Sequence, residues 1–405
     1  MFFMTLSMIL VVFLLDVCLS VMSYKSRKNP IPANVKDVYQ EKDYRKWLNY
    51  TMEGFRLRIL SSVLDTVILL VFLLTGLFNS LATWVDQLTQ NQVHHALLFL
   101  GLYGALSYFI NLGFKLYHTF SIEERYGFNK KSVKTFIIDE IRNKILLLVV
   151  GGGLLWTVIS LYLSLGMVAM AYAWGLIMGL ILLINLLYAR VFIRLFNKIP
   201  PLEDGELKDK VLQLSQDLGY EVKSISVMDA SKRSSRLNAF FSGFGRFKSI
   251  VIYDTLLEKM TDDQVLAVLA HEMGHANHKD GFKNLMIAMV QIGVYMSVLG
   301  FFLSSVGFST AFGFESVHLG FTIIIYMALL KPVSLLINIP LSGLSRQFEY
   351  KADAYAKKAG CGQELQEALK ILGRENFANL TPHPLVVALT YSHPPIHQRL
   401  EALSA

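Results

Sequence analysis

The chain has 405 residues, 53% hydrophobic and 17% charged, with a formal net charge of +7. Apolar residues gathered into uninterrupted runs near twenty residues long exclude an ordinary soluble domain and read as membrane spans. The basic residues concentrate in alternate loops, so they speak for membrane orientation rather than nucleic acid, and the two cysteines, Cys18 and Cys361, exclude a disulfide framework or a cysteine metal site.

Seven runs qualify as spans: 2–23, 59–83, 95–114, 145–165, 168–194, 283–307 and 318–341. The first lacks a basic leader, and Lys25, Arg27 and Lys28 follow it, which favours a retained span over a cleaved signal peptide. Only a tight turn at Ser164-Leu165-Gly166 separates the fourth from the fifth. Loops 24–58 and 115–144 carry nine and seven Lys/Arg, whereas loops 84–94 and 308–317 carry none. One topology satisfies all four, with the N-terminus outside and the C-terminus cytoplasmic. The organisation is then 1–196, spans one to five; 197–282, a polar segment; 283–341, spans six and seven; and 342–405, a C-terminal segment. The two polar segments share a compartment and can build one site.

Within 197–282, residues 204–219 have helical periodicity and stop at Gly219. Residues 222–228 and 247–254 suit short strands, the second with apolar residues on both faces. Between them, 231–245 reads as a loop or an irregular edge strand. Thr261-Asp262-Asp263-Gln264 is a capping box opening a helix to about Asp280, with Gly281 as its stop.

That helix carries His271, Glu272 and His275. Two histidines at i and i+4 leave one helix face at the separation that suits one tetrahedral zinc ion. The glutamate between them is placed to take a proton from the attacking water. Zinc in a catalytic site needs a third protein ligand. In 342–405, Glu349 and Asp353 lie i, i+4 on one helix face, so one can bind metal while the other orients a ligand histidine. By spacing alone that pair equally suits a solvated helix face. His278 lies near the same face but lacks the glycine that folds a third histidine back, so it reads as a non-ligand. His393, from its own surroundings, reads as a loop histidine in a proline-rich turn.

Several segments together resemble the CAAX prenyl protease type 1 family of intramembrane zinc metalloproteases (gluzincins). They are Pro201-Leu202-Glu203-Asp204-Gly205-Glu206-Leu207, Ser231-Lys232-Arg233-Ser234, Asn238-Ala239-Phe240-Phe241, the His-Glu-Met-Gly-His helix, Ser345 to Asp353, and Tyr391-Ser392-His393-Pro394-Pro395. The resemblance implies a mostly α membrane protein. Seven transmembrane helices would enclose a large chamber, with a small gluzincin-like α+β metalloprotease domain on the cytoplasmic side. It implies one zinc ion on His271, His275 and Glu349, Glu272 as general base, and Asp353 supporting a ligand. It further implies Asn238 and Ala239 as substrate-backbone contacts, His393 as the oxyanion donor, and Arg399 beside the substrate. The implied partners are a peptide or protein, prenylated at its C-terminus, and the lipid bilayer, with no nucleic acid. The membrane would be a bacterial plasma membrane or the endoplasmic reticulum. Leu237 stands where the family favours a small polar residue and Phe240 where it favours Tyr, differences that bear on substrate choice.

Two rival readings remain from the residues themselves. One is a membrane quality-control metalloprotease without prenyl specificity, for which seven spans are too many. The other is a receptor or transporter with a structural zinc, which would close all four metal positions and leave Glu272 without a task. Of Asp16, Asp65, Arg190 and Lys331, set in or near apolar runs, some are expected to line a water-filled chamber and others to snorkel at helix ends or pair within the bundle.

Overall fold

The structure, a computed structural model, describes residues 1–187, 191, 193–220, 222, 224–242 and 249–405. Among these, six helical stretches are long and apolar enough to cross a membrane: Phe2–Ser26, Glu41–Thr75, Gln92–Tyr126, Val133–Leu187, Asp280–Ser304 and Leu319–Glu375. Their outer faces are rich in exposed aliphatic side chains such as Leu14, Leu74, Leu148, Val290 and Leu336. A bilayer accounts for such a surface, because it solvates aliphatic groups and demands that the backbone pair with itself. The fourth stretch is not straight. Helix Gly153–Leu165 ends at Gly166, whose φ of 59° a side chain would disfavour, and the chain resumes as Ala169–Leu187. The turn expected from the sequence therefore lies there.

Inside the bundle, an apolar core joins Phe78, Phe99, Ala173, Phe302, Phe321 and Ile325. Asp16 and Lys331 form an ion pair, and Asp65 accepts a hydrogen bond from Asn111 Nδ2 at 2.7 Å. These three ionisable groups line one cavity of 880 Å³, as expected of costly charges at membrane depth. Arg190 lies outside the described residues.

Three differences from the sequence reading matter for the site. The basic loop 24–58 is partly helix: the second span begins at Glu41, and its Trp47 is buried with Val35 against Leu365, Leu369 and Leu400. The helix expected to reach Asp280 ends at Asn277, and Lys279 at φ 57° makes the break, so Gly281 lies inside the next helix rather than stopping this one. Finally, the span 318–341 and the helix carrying Glu349 are one element, Leu319–Ala356, with Pro332 and Pro340 inside it. Proline is tolerated in membrane helices, where neighbouring helices, Ser/Thr groups and local adjustments can satisfy the freed carbonyls.

A three-stranded sheet stands beside the motif helix, in the order β1 (Ser224–Met228), β3 (Ser249–Tyr253), β2 (Ala239–Ser242). β1 runs parallel to β3, with Ile225 opposite Ile250; β2 runs antiparallel, with Ala239 opposite Ile252. Ile250, Val251 and Ile252 are all buried, so the central strand is covered on both faces as its composition implies. Residues 231–245 were open between loop and edge strand; β2 lies within them, at one side of the sheet.

Candidate metal centre

The motif helix Asp262–Asn277 starts as expected. Gln264 N donates to Thr261 Oγ1 at 3.4 Å and Thr261 N to Gln264 Oε1 at 3.1 Å, closing the capping box. The helix buries Val265, Leu269 and Met273 under the sheet. It crosses Leu319–Ala356 at Gly274, where a Cβ would fall 2.9 Å from the Ala352 Cα. Only glycine permits that approach, and the approach brings Glu349 to the histidines.

His271, His275 and Glu349 offer ligand atoms that all lie within 4.8 Å of one another. The Nε2 atoms of the two histidines are 3.2 Å apart; Glu349 Oε1 is 3.2 Å from His275 Nε2, and its Oε2 is 3.5 Å from His271 Nε2. A tetrahedral ion with bonds of about 2.0–2.1 Å needs ligand atoms about 3.3 Å apart, so the donors fit a small divalent metal. Glu349 Oε2 is moreover buried without a hydrogen bond. His278 stands outside the group, against the Tyr355 ring at 5.8 Å.

Each ligand is held from behind. The His271 Nδ1 side is 2.9 Å from Asp353 Oδ1, which leaves Nε2 for metal. Arg399 grips Asp353 with two hydrogen bonds, Nε to Oδ2 at 2.8 Å and a terminal nitrogen to Oδ1 at 2.6 Å, and lies 3.4 Å from Glu349 Oε2. His275 Nδ1 is 3.0 Å from Asp280 Oδ2, whose other oxygen accepts from Lys283 Nζ at 3.0 Å. Asp280 was not foreseen. Its only sequence signal is its place five residues after His275, which becomes contact once the chain breaks at Lys279.

Burial alone would lower the pKa of both histidines, but the carboxylates outweigh it. His271 is raised by Asp353 and Glu349, and His275 is pushed up to about 9 by Glu349 and Asp280. Burial raises Glu272 above the ordinary carboxylate range, against the pull of the adjacent histidines. Its carboxylate makes no hydrogen bond with a described residue and faces the cleft, as a proton acceptor requires.

The cleft, 420 Å³, is lined by His271, Glu272, His275, Glu349, His393 and Arg399, and on its strand side by Asn238 and Ala239. Asp353 is absent from that wall because it sits behind His271. His393 is exposed, with Nε2 3.2 Å from Glu349 Oε1. Its loop is anchored by Arg346, which donates to the Val387 and Tyr391 carbonyls at 2.9 Å each. Asn238 exposes its side chain, whose Oδ1 accepts from the Ala239 amide at 3.0 Å. The second unforeseen residue is Asn376, which accepts from Leu237 N at 2.9 Å and donates to Leu237 O at 3.0 Å, fixing the backbone where β2 begins. In sequence it is an ordinary helix cap.

Apolar helices that cross a bilayer and a His-Glu-x-x-His helix facing a buried carboxylate define a membrane metallopeptidase. Residues 4–198 match the family profile described as CAAX prenyl protease N-terminal, five membrane helices, and residues 201–405 match peptidase family M48; the chain belongs to that peptidase family. It is 31% identical over 411 residues to a CAAX prenyl protease 1 homolog of Oryza sativa subsp. japonica, covering 98% of this chain and 96% of the relative. CAAX prenyl protease 1 of Saccharomyces cerevisiae is also 31% identical, over 94% of this chain and 89% of its own. The crystal structure of S. mikatae Ste24p superposes with a TM-score of 0.90 at 29% identity, covering 99% and 98% of the two chains.

Proposed function

We propose that the chain is a zinc endopeptidase that cuts near the C-terminus of prenylated proteins or peptides. The observation that carries this is the triangle of His271, His275 and Glu349 at tetrahedral spacing, with the free carboxylate of Glu272 in the same cleft. Bound there, zinc would supply a Lewis acid that polarises the scissile carbonyl and acidifies water. Glu272 takes the proton of the attacking water and returns it to the leaving amine. His393, exposed at the rim, is the donor to the carbonyl oxygen as negative charge gathers on it. β2, with Asn238 and Ala239 on the cleft wall, offers its outer side to an extended substrate backbone. Arg399 acts through Asp353 and Glu349, holding the carboxylate ligand and the carboxylate behind His271.

The finer architecture is part of this reading. The bend at Gly166 turns one long stretch into two crossings and so supports seven spans around the bundle cavities. The loop charges support an outside N-terminus and a cytoplasmic C-terminus. Segments 197–282 and 342–405 then form the peptidase module on the cytoplasmic side. Prenyl preference is drawn from the names of the relatives.

Cleavage of one peptide in farnesylated and unfarnesylated form, by purified wild type and Glu272→Ala, tests the reading. We expect Glu272→Ala to lose on the order of 10²–10⁴-fold in rate while retaining metal. Unchanged cleavage would sink the mechanism. Cleavage indifferent to the lipid would remove prenyl specificity and leave the peptidase.

A further inference from the structure

A second cavity, 580 Å³, lies between helices Phe2–Ser26, Glu41–Thr75 and Gln92–Tyr117 and the C-terminal segment. Among the described residues its wall carries four basic side chains, Arg27, Arg58, Lys115 and His118, and no carboxylate. Three are engaged. Arg27 donates to the Leu48 carbonyl at 3.2 Å and lies over the Tyr24 ring; Lys115 pairs with Glu140; His118 is 3.8 Å from Glu123. Arg58 has no hydrogen bond or ion pair with a described residue. Arg58 also lines the 880 Å³ cavity, whose carboxylates are already taken, Asp65 by Asn111 and Asp16 by Lys331. A guanidinium fork without a counter-charge, in a walled space where an apolar run begins, suits a carboxylate brought in from outside.

The cavity abuts the metal cleft in three places. Asn376 lines the cleft and the next residue, Phe377, lines the cavity. His393 lines the cleft and Tyr391 the cavity. Tyr50, on the cavity wall, accepts from Arg236 at 2.8 Å, and Arg236 precedes Leu237 of the cleft. From Tyr50, bonded to the neighbour of cleft residue Leu237, to Arg58 is eight residues of one helix, or about 12 Å along its axis. An extended peptide covers that distance with about three to four residues.

We propose that Arg58 binds the free C-terminal carboxylate of the substrate, and of the short peptide released from it. Phe55, Phe114 and Phe377 on the same wall provide an apolar bed for the side chains between. The inference rests on the reading that the enzyme cuts near a peptide C-terminus. It adds the group that recognises that end.

The test uses the full chain in lipid nanodiscs and an Ala-Ile-Leu tripeptide as free acid and as C-terminal amide, with equilibrium binding to wild type, Arg58→Gln and Arg58→Lys. Wild type is expected to bind the acid about tenfold or more tightly than the amide, as a charge-assisted hydrogen bond requires. The ratio should fall to near one in Arg58→Gln and recover in part in Arg58→Lys. Equal binding of acid and amide by wild type, or an undiminished ratio in Arg58→Gln, overturns the proposal. Because this measurement needs no turnover, its failure is distinct from that of the peptidase reading, which Glu272→Ala decides.

Discussion

Behind the metal cluster, Asp353 and Arg399 keep 2% and 10% of their side chains exposed, whereas Asp16 and Lys331, paired within the bundle, keep 31% and 43%. The first pair is closed in by protein and by the ligands it steadies. The second faces a cavity wide enough for solvent. The same chemistry therefore serves different ends. In the cleft, desolvated charges fix geometry, and each depends on its partner; in the bundle, solvated charges tolerate loss.

The largest expected effect breaks the buried pair. Arg399→Ala leaves Asp353 buried without its guanidinium, with only His271 beside it, and should cost roughly 3–5 kcal/mol, read as a drop in the thermal unfolding midpoint of the purified protein. Lys331→Ala in the bundle should cost under about 1 kcal/mol after screening by solvent. Equal losses would show the bundle cavity to be dry and would erase the distinction.

Asp280→Asn probes a smaller effect on the same side of the comparison. It keeps the side-chain volume but weakens the hold on His275 Nδ1, and metal affinity measured by chelator competition should fall about tenfold or more. An unchanged affinity would mean that the helix alone orients His275.

The smallest effect is a pH dependence. His275 is held at about 9 in the metal-free cluster, so below that pH a metal must displace its proton. Affinity should fall up to about tenfold for each pH unit below 9, with proton release visible as buffer-dependent binding heat. For the metal-free fold the sign is opposite. The raised value stabilises it at low pH, fully below the unfolded histidine value of about 6.5, and that contribution is lost as pH rises through about 9. Binding heats independent of buffer would contradict both.

Much of the site was legible because its chemistry is written in local spacing. The i, i+4 histidines, the glutamate between them and the capping box needed only one helix, and that helix starts where expected though it ends earlier, at Asn277. Glu349 was ambiguous from spacing alone, since nothing within Ser345 to Asp353 distinguishes a buried face from a solvated one. The crossing at Gly274 decides it, and a crossing is a property of two elements. Asp280 and Asn376 were missed for the same reason, because each acts on a partner only after a chain break or a long-range contact. The spans were legible in position but not in extent. Apolar runs mark where the bilayer begins and ends, while the helices Glu41–Thr75 and Leu319–Ala356 continue into polar sequence.

The helix Leu319–Ala356 makes the bilayer part of the metal site's mechanics. From Leu330 to Glu349 is about 29 Å of one continuous helix, with Pro332 and Pro340 between them, so a change of about 2° in its direction swings the carboxylate by about 1 Å, several times the tolerance of a metal–ligand bond. A span can tilt to accommodate hydrophobic mismatch as well as packing against its neighbours, and this span carries a ligand at its end.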